Sequence, residues 1–220
     1  MSKVLPAKPL LIMMYGFPGA GKSYFARQLS ETLNAAHIQG DRIRSELFEN
    51  PRYDKEENEV IAHLMDYMAE EFLNAGVSVI YDANAMRANQ RRELREMARK
   101  AHAEHVLVWL QIDTESAFAR VGKRDRRRAD DKYAVPLDRK TFEKLAGGMQ
   151  NPLTTEDYVV ISGKHVFAMQ RSAFMKRLRE LGLISQEVAS ASVIKPGLVN
   201  LVPNPTAGRV DMSRRNIIIR

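Results

Sequence analysis

The segment Gly16-Phe17-Pro18-Gly19-Ala20-Gly21-Lys22-Ser23 follows directly on the apolar run Leu10-Leu11-Ile12-Met13-Met14-Tyr15. Set between a buried strand and a helix, the pattern G-x-x-x-x-G-K-S is that of a phosphate-binding loop. Its glycines let successive backbone N–H groups turn inward around phosphate oxygens, where a side chain would block the approach or forbid the dihedrals. Lys22 then reaches the terminal phosphates, the Ser23 hydroxyl ligates Mg²⁺, and the positive end of the next helix faces the anion. The competing interpretation is a plain glycine turn between a core strand and a helix. The amphipathic segment Tyr24 to Leu33 and the strand before the loop favour the phosphate site.

Further apolar runs suited to buried parallel strands occur at Val77 to Tyr81 and Val106 to Gln111, with shorter ones at His37 to Gln39 and Tyr158 to Ser162. Helical patterns lie between them. From Glu56 to Ala75, Val60, Leu64, Met68 and Phe72 recur every four residues, Asp54 and Glu57 have capping-box spacing, and Gly76 supplies the stop. Arg91 to Ala103, Thr114 to Lys123, Asp138 to Met149 and Phe167 to Leu181 are the other predicted helices. Strands alternating with helices imply an α/β fold, a mostly parallel sheet covered on both faces, with ligands at the carboxyl ends of the strands. Residues 1–184 form the expected domain. Its charge-dense stretch at about 125–138 is expected to be a lid, and 185–220 a C-terminal extension.

The 220 residues suffice for one such domain without disulfides, and there is no cysteine to supply a thiol nucleophile or a thiolate metal site. The five histidines show no metal-ligand spacing and are expected at the surface or in packing. The net charge of +7 favours anionic partners, nucleotides or nucleic acid. The apolar run before the loop is too short for a signal peptide or a membrane span, so a cytoplasmic protein with no membrane partner is expected.

Three groups belong beside the phosphates. Asp41 stands just past the second strand, with Arg44 one helical turn on. A carboxylate there can take the proton of an attacking hydroxyl and an arginine can grip an anionic acceptor, although Asp41 also suits a helix cap. Asp82 ends the run Val77-Ser78-Val79-Ile80-Tyr81, where it can serve Mg²⁺ or the acceptor, or simply bond the next loop. No glutamate follows it to polarise water, which favours transfer to a bound acceptor over hydrolysis. Arg120, Lys123, Arg124, Arg126, Arg127 and Arg128 gather at a helix end and the presumed lid, as phosphate-neutralising groups or as a solvated basic face. The arginines at 87, 91, 92, 95 and 99 suit solubility, with Arg87 and Arg91 close enough to the strand end to touch substrate.

With these residues placed, the chain resembles the P-loop kinase family that contains polynucleotide 5′-hydroxyl kinases, zeta-toxin-like kinases and other small AAA-type ATP-dependent kinases. The resemblance covers about residues 10–163. It runs through Gly16 to Ser23, Asp41-x-x-Arg44, Tyr81-Asp82-Ala83-Asn84, Arg120-x-x-x-Arg124 and Asn151-Pro152-x-x-x-Glu156. It implies a sheet of order 2-3-1-4-5 with a lid, ATP and Mg²⁺ as cofactors, and catalysis by Lys22, Asp41 and Arg124. ATP would lie on Gly16, Pro18, Gly19, Ala20, Gly21, Lys22, Ser23 and Tyr24, with Arg120 and Arg124. The metal would lie on Ser23 and Asp82, and the acceptor on Asp41, Arg44, Asp82, Asn84 and Arg87. An arginine among Arg120, Arg124 and Arg126 would reach the transferred phosphate.

The expected activity moves the γ-phosphate of ATP to a hydroxyl, on a polynucleotide 5′ end or on a nucleoside or sugar metabolite. The alternatives are a nucleotide-dependent ATPase or switch acting through protein or RNA binding, and a basic RNA-binding module with a vestigial nucleotide site.

Overall fold

The computed structural model describes residues 6–125, 127, 131–135 and 137–184. Five parallel strands form one sheet in the order β2-β3-β1-β4-β5, as expected from the resemblance. They are β1 (Leu10–Tyr15), β2 (Ala36–Gln39), β3 (Val79–Asn84), β4 (Glu104–Gln111) and β5 (Tyr158–Ser162). Seven helices are described: α1 (Lys22–Leu33), α2 (Gly40–Leu47), α3 (Lys55–Asn74), α4 (Ala88–Lys100), α5 (Thr114–Gly122), α6 (Arg139–Gly147) and α7 (Phe167–Glu180).

Every residue of β1 is buried, because the strand is central and covered on both faces. Its alternate side chains divide between two cores. Leu10, Ile12 and Met14 pack with Phe25 and Leu29 of α1 and Phe174 and Leu178 of α7. Leu11, Met13 and Tyr15 pack with Ile61, Met65, Ala69 and Leu73 of α3 and with Leu94 and Ala98 of α4. Helix, sheet and helix thus make three layers. No helix among the described residues is long and apolar enough to cross a membrane.

Aspartates open three helices. The side chains of Asp54, Asp113 and Asp138 accept from the N–H groups of Glu57, Ser116 and Thr141 at 2.9, 2.8 and 2.7 Å. On α3 the expected apolar stripe is corrected by one residue: Val60 is exposed, and the buried line is Ile61, Met65, Ala69 and Leu73. Both stripes have the same spacing, and the sheet selects the one continuous with Glu57, whose carboxylate is buried against Arg44.

β3 starts later than expected and runs further, through Asp82, Ala83 and Asn84. Its register against β1 slips there, with Met13 opposite Tyr81 but Met14 opposite Asn84. The irregularity lies at the carboxyl edge of the sheet, where bulges re-aim side chains. Asp82 is consequently directed at α1.

Candidate active site

The loop from Gly16 to Gly21 connects β1 to α1 at that same edge. Gly19 has φ +83°, and a Cβ there would lie 2.3 Å from the carbonyl oxygen of Ala117, so α5 closes on bare backbone. Gly21 caps α1 with φ +96°, a left-handed turn that favours glycine. Asn84 brackets the start of the loop, its Nδ2 donating to Gly16 O at 3.0 Å and its Oδ1 accepting from Gly16 N at 3.3 Å. Lys22 Nζ donates to the carbonyls of Gly16 and Phe17 at 2.8 and 3.0 Å. Burial pushes the Lys22 ammonium down to about 8, against the pull of Asp82 and Asp41 and with help from Arg124.

Across from Lys22, Ser23 Oγ donates to Asp82 Oδ1 at 3.1 Å. The second Asp82 oxygen lies 3.0 Å from His37 Nε2, and the residue is only 6% exposed. Asp82 is thus fixed from both sides. Asp41, in the first turn of α2, faces the open cleft. Desolvation raises its carboxyl above the ordinary range and Asp82 adds to the rise, while Arg44, Arg124 and Lys22 oppose it.

Lys22, Ser23, Asp41, Asp82 and Asn84 line one cleft of about 880 Å³. Tyr24, Arg120, Lys123 and Arg124 also face it, as do the residues of the β5–α7 turn from Gly163 to Val166. Arg120 Nη1 donates to Gly163 O at 2.8 Å and Arg124 Nη1 to Val135 O at 2.6 Å, which ties α5 to the turn and to the segment expected as a lid. A Cβ on Gly163 would come within 2.7 Å of Ala20 O, so the turn sits against the phosphate loop.

The cleft therefore gathers Gly19, Ala20, Gly21, Lys22, Ser23, Tyr24, Asp41, Arg44, Asp82, Asn84, Arg120 and Arg124. Gly16 and Pro18 are not part of its wall, although Gly16 anchors Lys22 and Asn84. Arg87 stays outside it: it is exposed at the N-cap of α4, with its N–H bonded to Gln90 Oε1 at 3.1 Å. Arg126, Arg128 and 185–220 lie outside the described residues.

Arg91 serves neither solubility nor substrate. It is fully buried, and its Nε and Nη2 grip Glu156 at 2.8 and 2.9 Å. Nη1 donates to the carbonyls of Ala85 and Gln150, each at 3.0 Å. Asn151 Oδ1 accepts from Tyr15 Oη at 3.0 Å. The Asn151 to Glu156 motif is thus a clasp that holds the ends of β1 and β3 under the site. Reasoning from sequence missed this clasp, together with His37 and the Gly163 to Val166 turn. Only the motif spacing around Glu156 carried any signal for them.

The family described as an AAA domain matches residues 11–152. A gluconokinase from Sinorhizobium meliloti is similar over 84% of this chain and 98% of its own, at 16% identity and a TM-score of 0.59. Kti12 from Chaetomium thermophilum, solved with ADP-AlF3, is similar over 80% and 99%, at 21% identity and a TM-score of 0.63. The APS kinase CysC of Mycobacterium tuberculosis, solved with AMPPNP and APS, gives 79% and 99%, 17% identity and a TM-score of 0.58. At these identities the likeness is one of fold. No curated protein matches the chain. With its phosphate loop, its strand order and more than half of its length matched, the chain belongs to this AAA domain family, within the P-loop NTPase superfamily.

Proposed function

We propose that the protein is an ATP-dependent kinase that transfers the γ-phosphoryl group to a hydroxyl. One observation carries the proposal: the cleft of about 880 Å³ that the phosphate loop lines is lined also by Asp41 of α2. The triphosphate would lie along the loop amides, Lys22 and Arg124, and the nucleoside toward Arg120 and the Gly163 to Val166 turn. Asp41 takes the proton of the acceptor hydroxyl as its oxygen bonds to the γ-phosphorus and the bond to the β-phosphate oxygen breaks, leaving ADP. A carboxyl raised above the ordinary range is the better base for that step. Arg124 faces the charge that spreads over the equatorial oxygens. Incubation with γ-labelled ATP, Mg²⁺ and a panel of hydroxyl acceptors tests the assignment. Labelled acceptor is the expected result, and release of inorganic phosphate alone would instead support the ATPase alternative.

The donor set fits Mg²⁺. Ser23 Oγ and Asp82 Oδ1 are two hard oxygens side by side, as this ion prefers, and water and phosphate would complete its shell. Among the described residues no group of three or more His, Cys, Asp and Glu could hold a metal. When bound, Mg²⁺ would draw charge from the phosphate oxygens. His37 orients Asp82 from behind. His37→Ala is expected to raise the Mg²⁺ concentration that half-saturates ATP binding by about tenfold. Calorimetric ATP titrations at graded Mg²⁺ measure this directly, and an unchanged half-point would show that Asp82 needs no such support.

A further inference from the structure

The two walls of the cleft carry opposite charge. The phosphate-loop wall, with α5 and the β5–α7 turn, presents Lys22, Arg120, Lys123, Arg124 and Lys164. The opposite wall, from α2, α3, the end of β3 and α4, presents Asp41, Asp66, Asp82 and Glu93, and its one described cation is Arg44, whereas the basic side carries one described carboxylate, Asp131.

Arg44 is engaged internally. It is only 7% exposed, its Nη1 is paired with Glu57, its Nη2 donates to Asn58 Oδ1 at 2.6 Å, and its guanidinium lies 4.7 Å from the Tyr53 ring centroid. Glu57 is held in turn by the Arg52 and Tyr53 amides at 2.7 and 3.3 Å. Arg44 therefore cannot turn to an incoming anion without stranding a buried carboxylate. Of its nitrogens only Nε is buried without a partner.

Beyond Asp41 the wall is apolar, formed by Ile61, Met65, Leu94 and Met97. It then reaches Asp66, whose Oδ1 accepts from Tyr81 Oη at 2.7 Å. Burial holds the Asp66 carboxyl above its ordinary range despite that hydrogen bond, and nearby Glu93 adds to the rise. Beside that bond, His63 alone acts the other way, and among the described residues neither carboxylate has an ion pair, so a cation in the cleft would be favoured by both. A 5′-hydroxyl polynucleotide would bring a phosphodiester past the reacting oxygen toward Asp66 and Glu93, whereas the described cations of the cleft other than Arg44 belong to the phosphate loop, to α5 and its end and to the β5–α7 turn.

We propose that the acceptor is a small alcohol without phosphate or carboxylate, its hydroxyl at Asp41 and a protonated amine seated toward Asp66 and Glu93. This rests on the kinase reading above. The test supplies γ-labelled ATP and Mg²⁺ with two scaffolds, each in three charge states. One set is a hexosamine, the parent hexose and the hexuronate. The other is a 3′-amino-3′-deoxynucleoside, the nucleoside and the nucleoside 3′-phosphate. Within a scaffold, kcat/KM is expected to be highest for the amine and lower by about tenfold or more for the anion. Glu93→Gln, at an exposed position on α4, is expected to shrink the preference for amine over neutral compound severalfold. An anionic member equal to or better than the amine would overturn this proposal while upholding the kinase. An undiminished amine preference in Glu93→Gln would overturn the seat assigned to the amine. No transfer to any of the six while the wider acceptor panel is labelled would overturn this proposal and uphold the kinase, and release of inorganic phosphate alone, with no acceptor in either panel labelled, would overturn both readings.

Discussion

Asp41→Asn is expected to lower phosphoryl transfer by about 10²- to 10⁴-fold, the range for loss of a positioned general base. Nucleotide affinity should change by less than about threefold, because the triphosphate is held by the loop amides and Lys22 on the opposite wall. The substitution keeps size and hydrogen-bonding shape but removes the charge that Arg44, Arg124 and Lys22 favour and that desolvation and Asp82 disfavour. The pH profile adds a second signature. Because the Asp41 carboxyl is raised, the acid limb of transfer should lie above that of an ordinary aspartate, and it should vanish in the variant. Rapid-quench measurement of transfer beside calorimetric ATP binding separates the two effects. A variant that still transfers at half the wild-type rate would assign the base elsewhere.

The largest effect on stability is expected from Arg91→Leu. The change removes the two-pronged partner of the Glu156 carboxylate, only 8% exposed, leaving it Arg95 and the Leu153 amide, and it removes the donor to the Ala85 and Gln150 carbonyls. Leaving a buried charge wholly unpaired costs about 3–5 kcal/mol; with Arg95 retained the loss should sit at the low end, about 3 kcal/mol, which for a domain of this size lowers Tm by about 10 °C. Burial works against the Glu156 charge, but bonds from Arg91, the Leu153 amide and Arg95 outweigh it and bring the carboxyl down to about 2. A depressed carboxyl stabilises the fold fully above its ordinary value of 4.5 and loses that contribution as pH falls through about 2. The gap between wild type and Arg91→Leu in chemical denaturation should therefore be widest near neutral pH and close in strong acid. A gap independent of pH would mean that packing, not the ion pair, holds the clasp.

Much of this fold is legible from local pattern. β1 and β5 occupy the residues their apolar runs mark, and the aspartate caps of α3, α5 and α6 stand where short-range hydrogen bonding puts them. Boundaries move where long-range pairing takes over. Polar residues Asp82 and Asn84 extend β3 because its backbone lies between β2 and β1. Glu104 and His105 open β4 because Leu10 and Leu11 lie opposite. The phosphate loop is local and can be read from eight consecutive residues. The partners of its flanking groups are not local. His37 meets Asp82 across 45 positions and Arg91 meets Glu156 across 65, distances at which periodicity carries no information. Arg91 looks like a surface arginine in a helix crowded with charges, and only the fold turns it inward.

The most direct test titrates the folded protein with ATP and Mg²⁺ by isothermal calorimetry, beside Lys22→Ala. One saturable site is predicted, weakened by about tenfold or more in the variant, since a charge-assisted contact to phosphate is lost. With Lys22 near 8, the wild type should also take up protons on binding at pH values above that, seen as a dependence of the heat on the buffer. Absence of any heat from ATP or GTP with Mg²⁺, or equal affinity in Lys22→Ala, would contradict the assignment of this cleft as a nucleotide site.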